Sequence, residues 1–505
     1  MHYHLIGICG TAMASLAGML QARGHHVTGS DEHVYPPMST MLESLGIPIM
    51  RGYKPAHLYF SPLRERRGVG GEVDNSVNPT PNPSPLAVRG IPDCVIVGNA
   101  IPRGNPEVEE TLNRRLVYRS QAEVVKEEFI RGRRSLVIAG THGKTTTTSL
   151  AAWVIDQCGL NPSFLVGGVV QNFGVSFRVR ESDYFIIEGD EYDTAYFDKG
   201  PKFMHYLPEI AVVNNIEFDH ADIYKDLDAV KLAFRRLMNL VPGNGKLIAG
   251  WDSPHVRDVV GSFGEKLFTQ LETFGTCEDA KWQARDIRYA GGMTHFRVLR
   301  EGAPWAEFQT PIIGEFNVRN CLAVIIAADA WGADRKSISD ALASFQSVRR
   351  RCEVRGEVSG VTIIDDFAHH PTAVRETLAA LRTKYAGRRL VAVFEPRSRT
   401  SCHATFQDLY VDAFAPADYV IVSRVYDAQR AAEMGGVLDI ERLIEDIAAT
   451  GKPSHAITEV DDIVAQLRKE ARSGDVIAVM SNGGFGGIHE KLLTALSEPS
   501  AVAGG

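Results

Sequence analysis

Ser135-Leu136-Val137-Ile138-Ala139-Gly140-Thr141-His142-Gly143-Lys144-Thr145-Thr146-Thr147-Thr148 is the stretch on which the reading of this chain turns. A short apolar run enters a glycine-containing turn, a Lys-Thr pair follows, and the next residues can start a helix. Strand, turn and helix in that order aim backbone N–H groups and a positive helix terminus at one point, where an anion binds. Lys144 adds a point charge for the outer phosphates of a nucleotide, and the Thr145 hydroxyl can ligate magnesium. The generic eight-residue pattern wants glycine where this chain has Ile138, so the compact form Gly-Thr-x-Gly-Lys-Thr-Thr is the one satisfied. The stretch predicts ATP binding by Gly140, Thr141, His142, Gly143, Lys144, Thr145 and Thr146 within an α/β unit.

Downstream, the apolar run Tyr184-Phe185-Ile186-Ile187 ends in Glu188-Gly189-Asp190-Glu191-Tyr192-Asp193. Carboxylates at the C-terminal end of a strand stand where an α/β phosphate site keeps its magnesium, Glu188 above all. A second strand, Ala211-Val212-Val213, ends in Asn214-Asn215-Ile216-Glu217-Phe218-Asp219-His220-Ala221-Asp222 and brings His220 to the same sheet edge. Further on, three polar clusters each follow a predicted strand: Asp365-Asp366-Phe367-Ala368-His369-His370-Pro371, Glu395-Pro396-Arg397-Ser398-Arg399, and Ser481-Asn482-Gly483-Gly484-Phe485-Gly486-Gly487. Arginines at such ends suit carboxylates by paired hydrogen bonds, so the three clusters predict a second substrate pocket.

Upstream, 3–9 reads as a strand, 11–23 as a helix, 26–29 as a second strand and 95–97 as a later one, a βαβ opening. Gly7-Ile8-Cys9-Gly10 and Asp31 invite a dinucleotide reading, but the full G-x-G-x-x-G is absent because residues 9 and 12 are Cys and Ala. A Gly-x-x-Gly turn still suits a diphosphate at a helix N-terminus. Between the strands, residues 61–93 carry Pro79, Pro81, Pro83, Pro85 and Pro92 in a polar setting, which forbids a ladder or a helix and predicts a mobile surface insertion. Joints rich in arginine at 131–134 and 349–351 mark the ends of the first and second units.

With 505 residues the length suits about three domains. A net charge of −8 argues against a nucleic-acid partner, and no apolar run reaches the roughly 20 residues a bilayer needs. Seven scattered cysteines without a Cys-x-x-Cys pair fit reduced thiols in a cytoplasm.

Taken together, residues 140–146, 188–193, 214–222, 314–320 and 365–371 resemble, in this order, the motifs of the Mur ligase family, ATP-dependent amide-bond-forming enzymes of bacterial cell-wall synthesis. The resemblance covers the chain apart from 61–93. It implies a three-domain α/β architecture: a Rossmann-like UDP-sugar domain at 1–131, a central phosphate-loop ATPase at 132–351 and a Rossmann-like peptide-substrate domain at 352–505. Two branches of the family are close: one adds L-alanine to UDP-N-acetylmuramate, the other adds the tripeptide L-alanyl-γ-D-glutamyl-meso-diaminopimelate to the same sugar nucleotide. Residues 7–11, 34–40 and 394–398 are similar to the second branch, and so above all is Met480-Ser481-Asn482-Gly483-Gly484-Phe485-Gly486-Gly487-Ile488-His489.

The resemblance implies transfer of the ATP γ-phosphate to the muramoyl carboxylate, then attack by the peptide amine on the acyl phosphate. It implies catalysis by Lys144, Glu188 and His220, with Thr145, Glu188 and His220 around magnesium. Asn317 would meet the adenine, and Arg350 or Arg351 a phosphate. Gly7, Gly10, Thr11, Ser30 and Asp31 would receive the uridine diphosphate, with Asn99 and Asn105 nearer the sugar. His369, Arg397, Arg399 and Asn482 would contact the peptide. ATP and Mg2+ are the expected cofactors and the two substrates the expected partners, with no membrane and no obligate protein partner. Where relatives commonly have Gly-x-His-Asn, this chain has Gly314-Glu315-Phe316-Asn317, so no imidazole role carries over to Phe316. Lys231 stands near the position where some members carry a carbamylated lysine. Rival readings are the alanine-adding ligase, a nucleotide-binding oxidoreductase built on the Gly7–Asp31 unit, and a regulatory ATP-binding module.

Overall fold

The computed structural model describes residues 1–36, 38–59, 90–433 and 436–497. Among the described residues three large sheets follow one another along the chain, and a two-stranded ribbon, Asp193–Ala195 with Asp198–Pro201, falls between strands of the second in sequence. The first has five parallel strands in the order Ile49–Arg51, His26–Asp31, His2–Ile6, Cys94–Val97, Tyr118–Ser120. The sequence order therefore reverses at His2–Ile6, which leaves a crevice at the C-terminal ends of His2–Ile6 and Cys94–Val97, beside the Gly7–Gly10 turn. Every residue of His2–Ile6 is buried, as a central parallel strand covered on both faces requires.

Most of the expected insertion, 61–89, lies outside the described residues. Its end does not behave as insertion: Ile91 is buried, and buried Asp93 accepts a hydrogen bond from the His2 N–H at 2.8 Å before Cys94–Val97 begins. The proline pattern extended the irregular segment too far because Pro92 stands next to residues that the core already holds.

The central sheet has ten strands, and its middle is parallel: Lys246–Gly250, Ile210–Val213, Arg134–Ala139, Tyr184–Gly189 and Ser163–Val170. Its two ends turn antiparallel. Val175–Arg178 closes one side, and a meander of Trp282–Ala290, Met293–Arg300 and Ala303–Thr310 extends the other. This meander answers to no element expected above. The outer half of Trp282–Ala290 alternates half-buried with exposed residues, and Met293–Arg300 alternates buried residues with more exposed ones, a pattern weaker in sequence than the continuous apolar runs of the parallel strands. Helix Lys144–Gln157 is buried nearly all round, between the sheet and helix Glu315–Ala330. Gly18 shows how closely the first unit seats on the second, since a Cβ there would stand 2.3 Å from the Phe177 ring.

The third sheet runs Glu353–Val358, Val361–Asp366, Val476–Met480, Leu390–Phe394, Tyr419–Val422, Ser454–Ala456, with only the first strand antiparallel. Asp366, Met480 and Phe394 stand in register across three adjacent strands. All three polar clusters thus leave the sheet at one edge. Among the described residues no helix is long and apolar enough to cross a membrane.

Candidate active site

Strand Arg134–Ala139 pairs in register with Ile210–Val213 on one side and Tyr184–Gly189 on the other. The segments after all three strands therefore meet at one end of the sheet. Gly143 adopts φ +82° as it caps helix Lys144–Gln157, and a Cβ there would press to 2.8 Å on the Asn320 side-chain oxygen. Only glycine fits both demands. The loop is pinned from beneath: Thr141 N–H donates to the Asn215 carbonyl at 3.0 Å, and His142 N–H to Asn215 Oδ1 at 2.7 Å.

Lys144 Nζ donates to the carbonyl oxygens of Gly140 and Thr141, at 2.7 and 3.2 Å, and to the Glu191 carboxylate at 2.8 Å. His220, at φ +55°, brings Nε2 to 3.3 Å from Glu191 Oε1, an oxygen that Lys144 also meets. Burial works to lower the His220 pKa, but the hydrogen bond with Glu191 and the charges of Asp219 and Glu191 win and hold it at about 9. Glu191 is thus the buried carboxylate between two cations. It lies inside the acidic run that singled out Glu188, and only the fold shows that the two acids have different partners. Asp190 is held in turn by Lys202 at 2.5 Å.

Glu188 accepts from Thr145 Oγ1 at 3.0 Å and from Gly167 N–H at 2.9 Å, and burial pushes its pKa up. A hydroxyl and an acidic oxygen converging beside the phosphate loop, on a carboxylate whose charge is under-compensated, fit a hard divalent cation. His220 fits less directly, because it stands as the charged partner of Glu191 and would ligate a metal only after giving up its proton. Lys231 donates to Asp258 at 3.0 Å and lines neither cavity described below.

A cavity of about 300 Å³ opens on this loop and is roofed by the third unit. Lys144, Thr145, Glu188, Phe316, Asn317, Arg351 and His370 are among its walls. Of the two arginines expected there, Arg351 lines the cavity. Arg350 is turned away, its guanidinium donating to the Ser481 and Gly483 carbonyls at 2.6 and 2.7 Å and to Asp365 at 3.3 Å. Asn317 donates to the Ile313 carbonyl at 2.8 Å and accepts from Asn320, which fixes its amide at the wall.

A larger cavity, about 950 Å³, is walled by all three units: Asn99 from the first, Tyr192 and Lys199 from the second, Arg397, Arg399 and Asn482 from the third. Arg397 lies over the Tyr426 ring at 3.7 Å. Arg399 donates to Tyr192 Oη at 3.1 Å and pairs with Asp222. Asn482 Oδ1 is buried without a hydrogen-bond partner. His369, whose pKa burial lowers, lines this cavity and the smaller one alike, as do His220 and Phe367.

The first turn is built differently. Gly7 and Ile8 N–H donate to the Ser30 carbonyl, and Cys9 N–H donates to Asp31 at 2.8 Å. Gly10 caps helix Thr11–Ala22, and both Gly10 and Thr11 are exposed. The Ser30 hydroxyl does not reach this surface; it points inward and donates to Glu107 at 2.5 Å. Asn105 is likewise occupied, capping helix Pro106–Asn113 by accepting from Glu107 and Val108 N–H. Both were expected at the sugar nucleotide, but their short polar side chains satisfy buried or capping positions first. Glu107, which the resemblance placed in the segment nearer the sugar, is fully buried among His4, Ser30 and His57.

Three Mur ligase patterns match in succession: the Mur ligase family catalytic domain over 2–132, the middle domain over 138–328 and the glutamate ligase domain over 350–483. The chain is 40% identical, over the whole of both sequences, to the UDP-N-acetylmuramate–L-alanyl-γ-D-glutamyl-meso-2,6-diaminoheptandioate ligase of Escherichia coli (strain K12). It is 33% identical to the UDP-N-acetylmuramate–L-alanine ligase of Salinibacter ruber, over 99% of this chain and 96% of that one. Among solved structures it matches a murein peptide ligase from Psychrobacter arcticus with a TM-score of 0.68 and 34% identity, over 99% of this chain and 100% of that one. With the phosphate loop, the buried carboxylates behind it and three domain patterns in order, this chain belongs to the Mur ligase family of ATP-dependent amide-bond-forming ligases.

Proposed function

We propose that this chain joins L-alanyl-γ-D-glutamyl-meso-diaminopimelate to UDP-N-acetylmuramate in the cytoplasm, in peptidoglycan recycling. The observation that carries the reading is the junction of the two cavities. His220, Phe367 and His369 wall both, so a carboxylate phosphorylated in one is within reach of an amine held in the other. Full-length identity is higher to the tripeptide ligase than to the alanine ligase, and this supports the longer amine substrate, as does the size of the second cavity.

In this reading residues 1–131 present the sugar nucleotide, 132–351 the ATP and 352–505 the peptide. Gly7, Gly10, Thr11 and Asn99 offer backbone and exposed polar groups to the sugar nucleotide, and Asp31 holds the turn in shape. The 140–146 loop surrounds the β- and γ-phosphates, with Lys144 passing from Glu191 to phosphate oxygen. Asn317 faces the base and Arg351 a phosphate. Thr145 and Glu188 would hold magnesium, with His220 beside them, and the ion would supply charge neutralisation for the transferring phosphoryl group. The muramoyl carboxylate oxygen attacks the γ-phosphorus as the bond to ADP breaks. The peptide amine then attacks the acyl carbon and loses a proton as phosphate leaves. Arg397, Arg399 and Asn482 orient the peptide carboxylates and amine. Holding three reactants in line is the main catalytic contribution such a site makes.

The test is phosphate release from ATP with UDP-N-acetylmuramate and either the tripeptide or L-alanine, with the product weighed by mass spectrometry. Tripeptide-dependent release and a UDP-muramoyl-tripeptide product are expected. Release with alanine alone would move the chain to the alanine-adding branch.

A further inference from the structure

Glu217 and His370 take no part in the proposed chemistry, and with the imidazole of His142, from the phosphate loop, they form a cluster. His142 belongs to the phosphate loop, Glu217 to the segment after Ile210–Val213, and His370 caps helix Pro371–Lys384 of the third unit. His142 Nε2 lies 3.2 Å from Glu217 Oε2, and His370 Nδ1 lies 3.7 Å from the same oxygen. One ligand atom from each residue falls within 4.8 Å of the others. Ligand atoms around a tetrahedral zinc ion at about 2.05 Å stand about 3.3 Å apart, so two of the three edges already have nearly that length.

We propose that these three residues form a transition-metal site of the zinc type, which staples the third unit to the phosphate loop. The ligand set is two imidazoles and a carboxylate, the donors zinc takes in open sites. Thr372 Oγ1 donates to Glu217 Oε2 at 2.7 Å and so orients the carboxylate from outside, as partners of metal ligands do. His142 and His370 both line the smaller cavity, which provides an entry path and a fourth position for water. Binding through His370 Nδ1 displaces the Thr372 N–H that it now caps at 3.3 Å. The site shares no residue with Thr145, Glu188 and His220, and it does not depend on which amine the enzyme adds.

The full-length protein, in saturating magnesium and without nucleotide, is titrated with Co2+ and then with Zn2+. One equivalent of Co2+ is expected to give the intense visible bands of a four-coordinate ion, and Zn2+ to abolish them. Glu217→Gln and His370→Asn should each weaken binding at least about tenfold. Asparagine keeps an N-cap for helix Pro371–Lys384 and glutamine keeps the acceptor for Thr372, so both variants preserve the local fold. Glu188→Gln, at the phosphate loop, should leave the bands intact. Absence of four-coordinate bands, bands that survive both cluster variants, or bands lost in Glu188→Gln would each overturn the site.

Discussion

Two turns in this molecule share one local design. Gly7–Gly10 and Gly140–Gly143 each leave a buried parallel strand and open a helix, yet what lies beneath them differs. Under the phosphate loop, charged groups face the turn: buried Glu191 and half-buried Lys144, Glu188 and His220 lie within hydrogen-bonding reach of one another or of the loop. Under the first turn the charge is set back. Asp31 closes the turn through Cys9 N–H, and the buried charge, Glu107, is spent on His4, Ser30 and His57. A glycine turn therefore opens a helix in both places, but only the surrounding fold decides which charged groups face it.

The largest effect should come from removing the charge that distinguishes the phosphate loop. Lys144→Ala is expected to lower kcat/KM by about 10³-fold or more, with binding of UDP-N-acetylmuramate by calorimetry nearly unchanged. Loss of both would mean that the two turns are energetically one site. Next, Glu107→Ala should reduce unfolding free energy by about 3 kcal/mol, because His4, Ser30 and His57 lose a buried acceptor together. Urea denaturation reads this; turnover of the remaining folded protein should be changed far less than by Lys144→Ala.

The third prediction concerns pH. Burial, helped by His26 and His4, lowers the pKa of His2 to about 3, against 6.5 unfolded. The unfolded chain therefore binds the extra proton first. This contribution to stability is present above pH 6.5 and is lost as pH falls toward 3, by up to about 1.4 kcal/mol per pH unit. Urea midpoints at pH 7.0, 5.5 and 4.5 should fall steeply in the wild type and less in His2→Gln; parallel curves would remove His2 as the cause. The smallest effect separates the turns directly. Gly10 has φ −64° and open space for a Cβ, with its nearest neighbour at 3.5 Å. Gly10→Ala should then shift the melting temperature by less than about 2 °C. Gly143→Ala should cost about 1–3 kcal/mol, since it meets both the φ +82° backbone and Asn320. Equal losses at the two glycines would break the comparison.

Much of the fold was legible because parallel strands buried on both faces are written as unbroken apolar runs. Ile210–Val213 and Val476–Met480 appear where those runs lie. The meander Trp282–Thr310 was not legible, since half-exposed antiparallel strands alternate and resemble surface loops. At the site, residue types were legible but partners were not. Glu188 and Glu191 sit three residues apart in one acidic run, yet one faces Thr145 and the other Lys144 and His220. The resemblance put Ser30 and Asn105 at the sugar nucleotide; that the Ser30 hydroxyl donates to Glu107 and Asn105 caps helix Pro106–Asn113 is visible only in the fold.

What the sequence determined by itself is whatever depends on neighbours along the chain: the apolar strands, the glycine turn that opens a helix, and the lysine and threonine at its start. Those follow from backbone sterics and local periodicity, which act over a few residues. Which arginine of the 350–351 pair faces the nucleotide cavity, which acid holds Lys144, and how His142 comes to lie beside Glu217 and His370 were decided only by the tertiary structure. Burial and electrostatic pairing depend on distances between segments far apart in the chain. In the case of His142 and His370 they act across 4.6 Å between rings from two separate units.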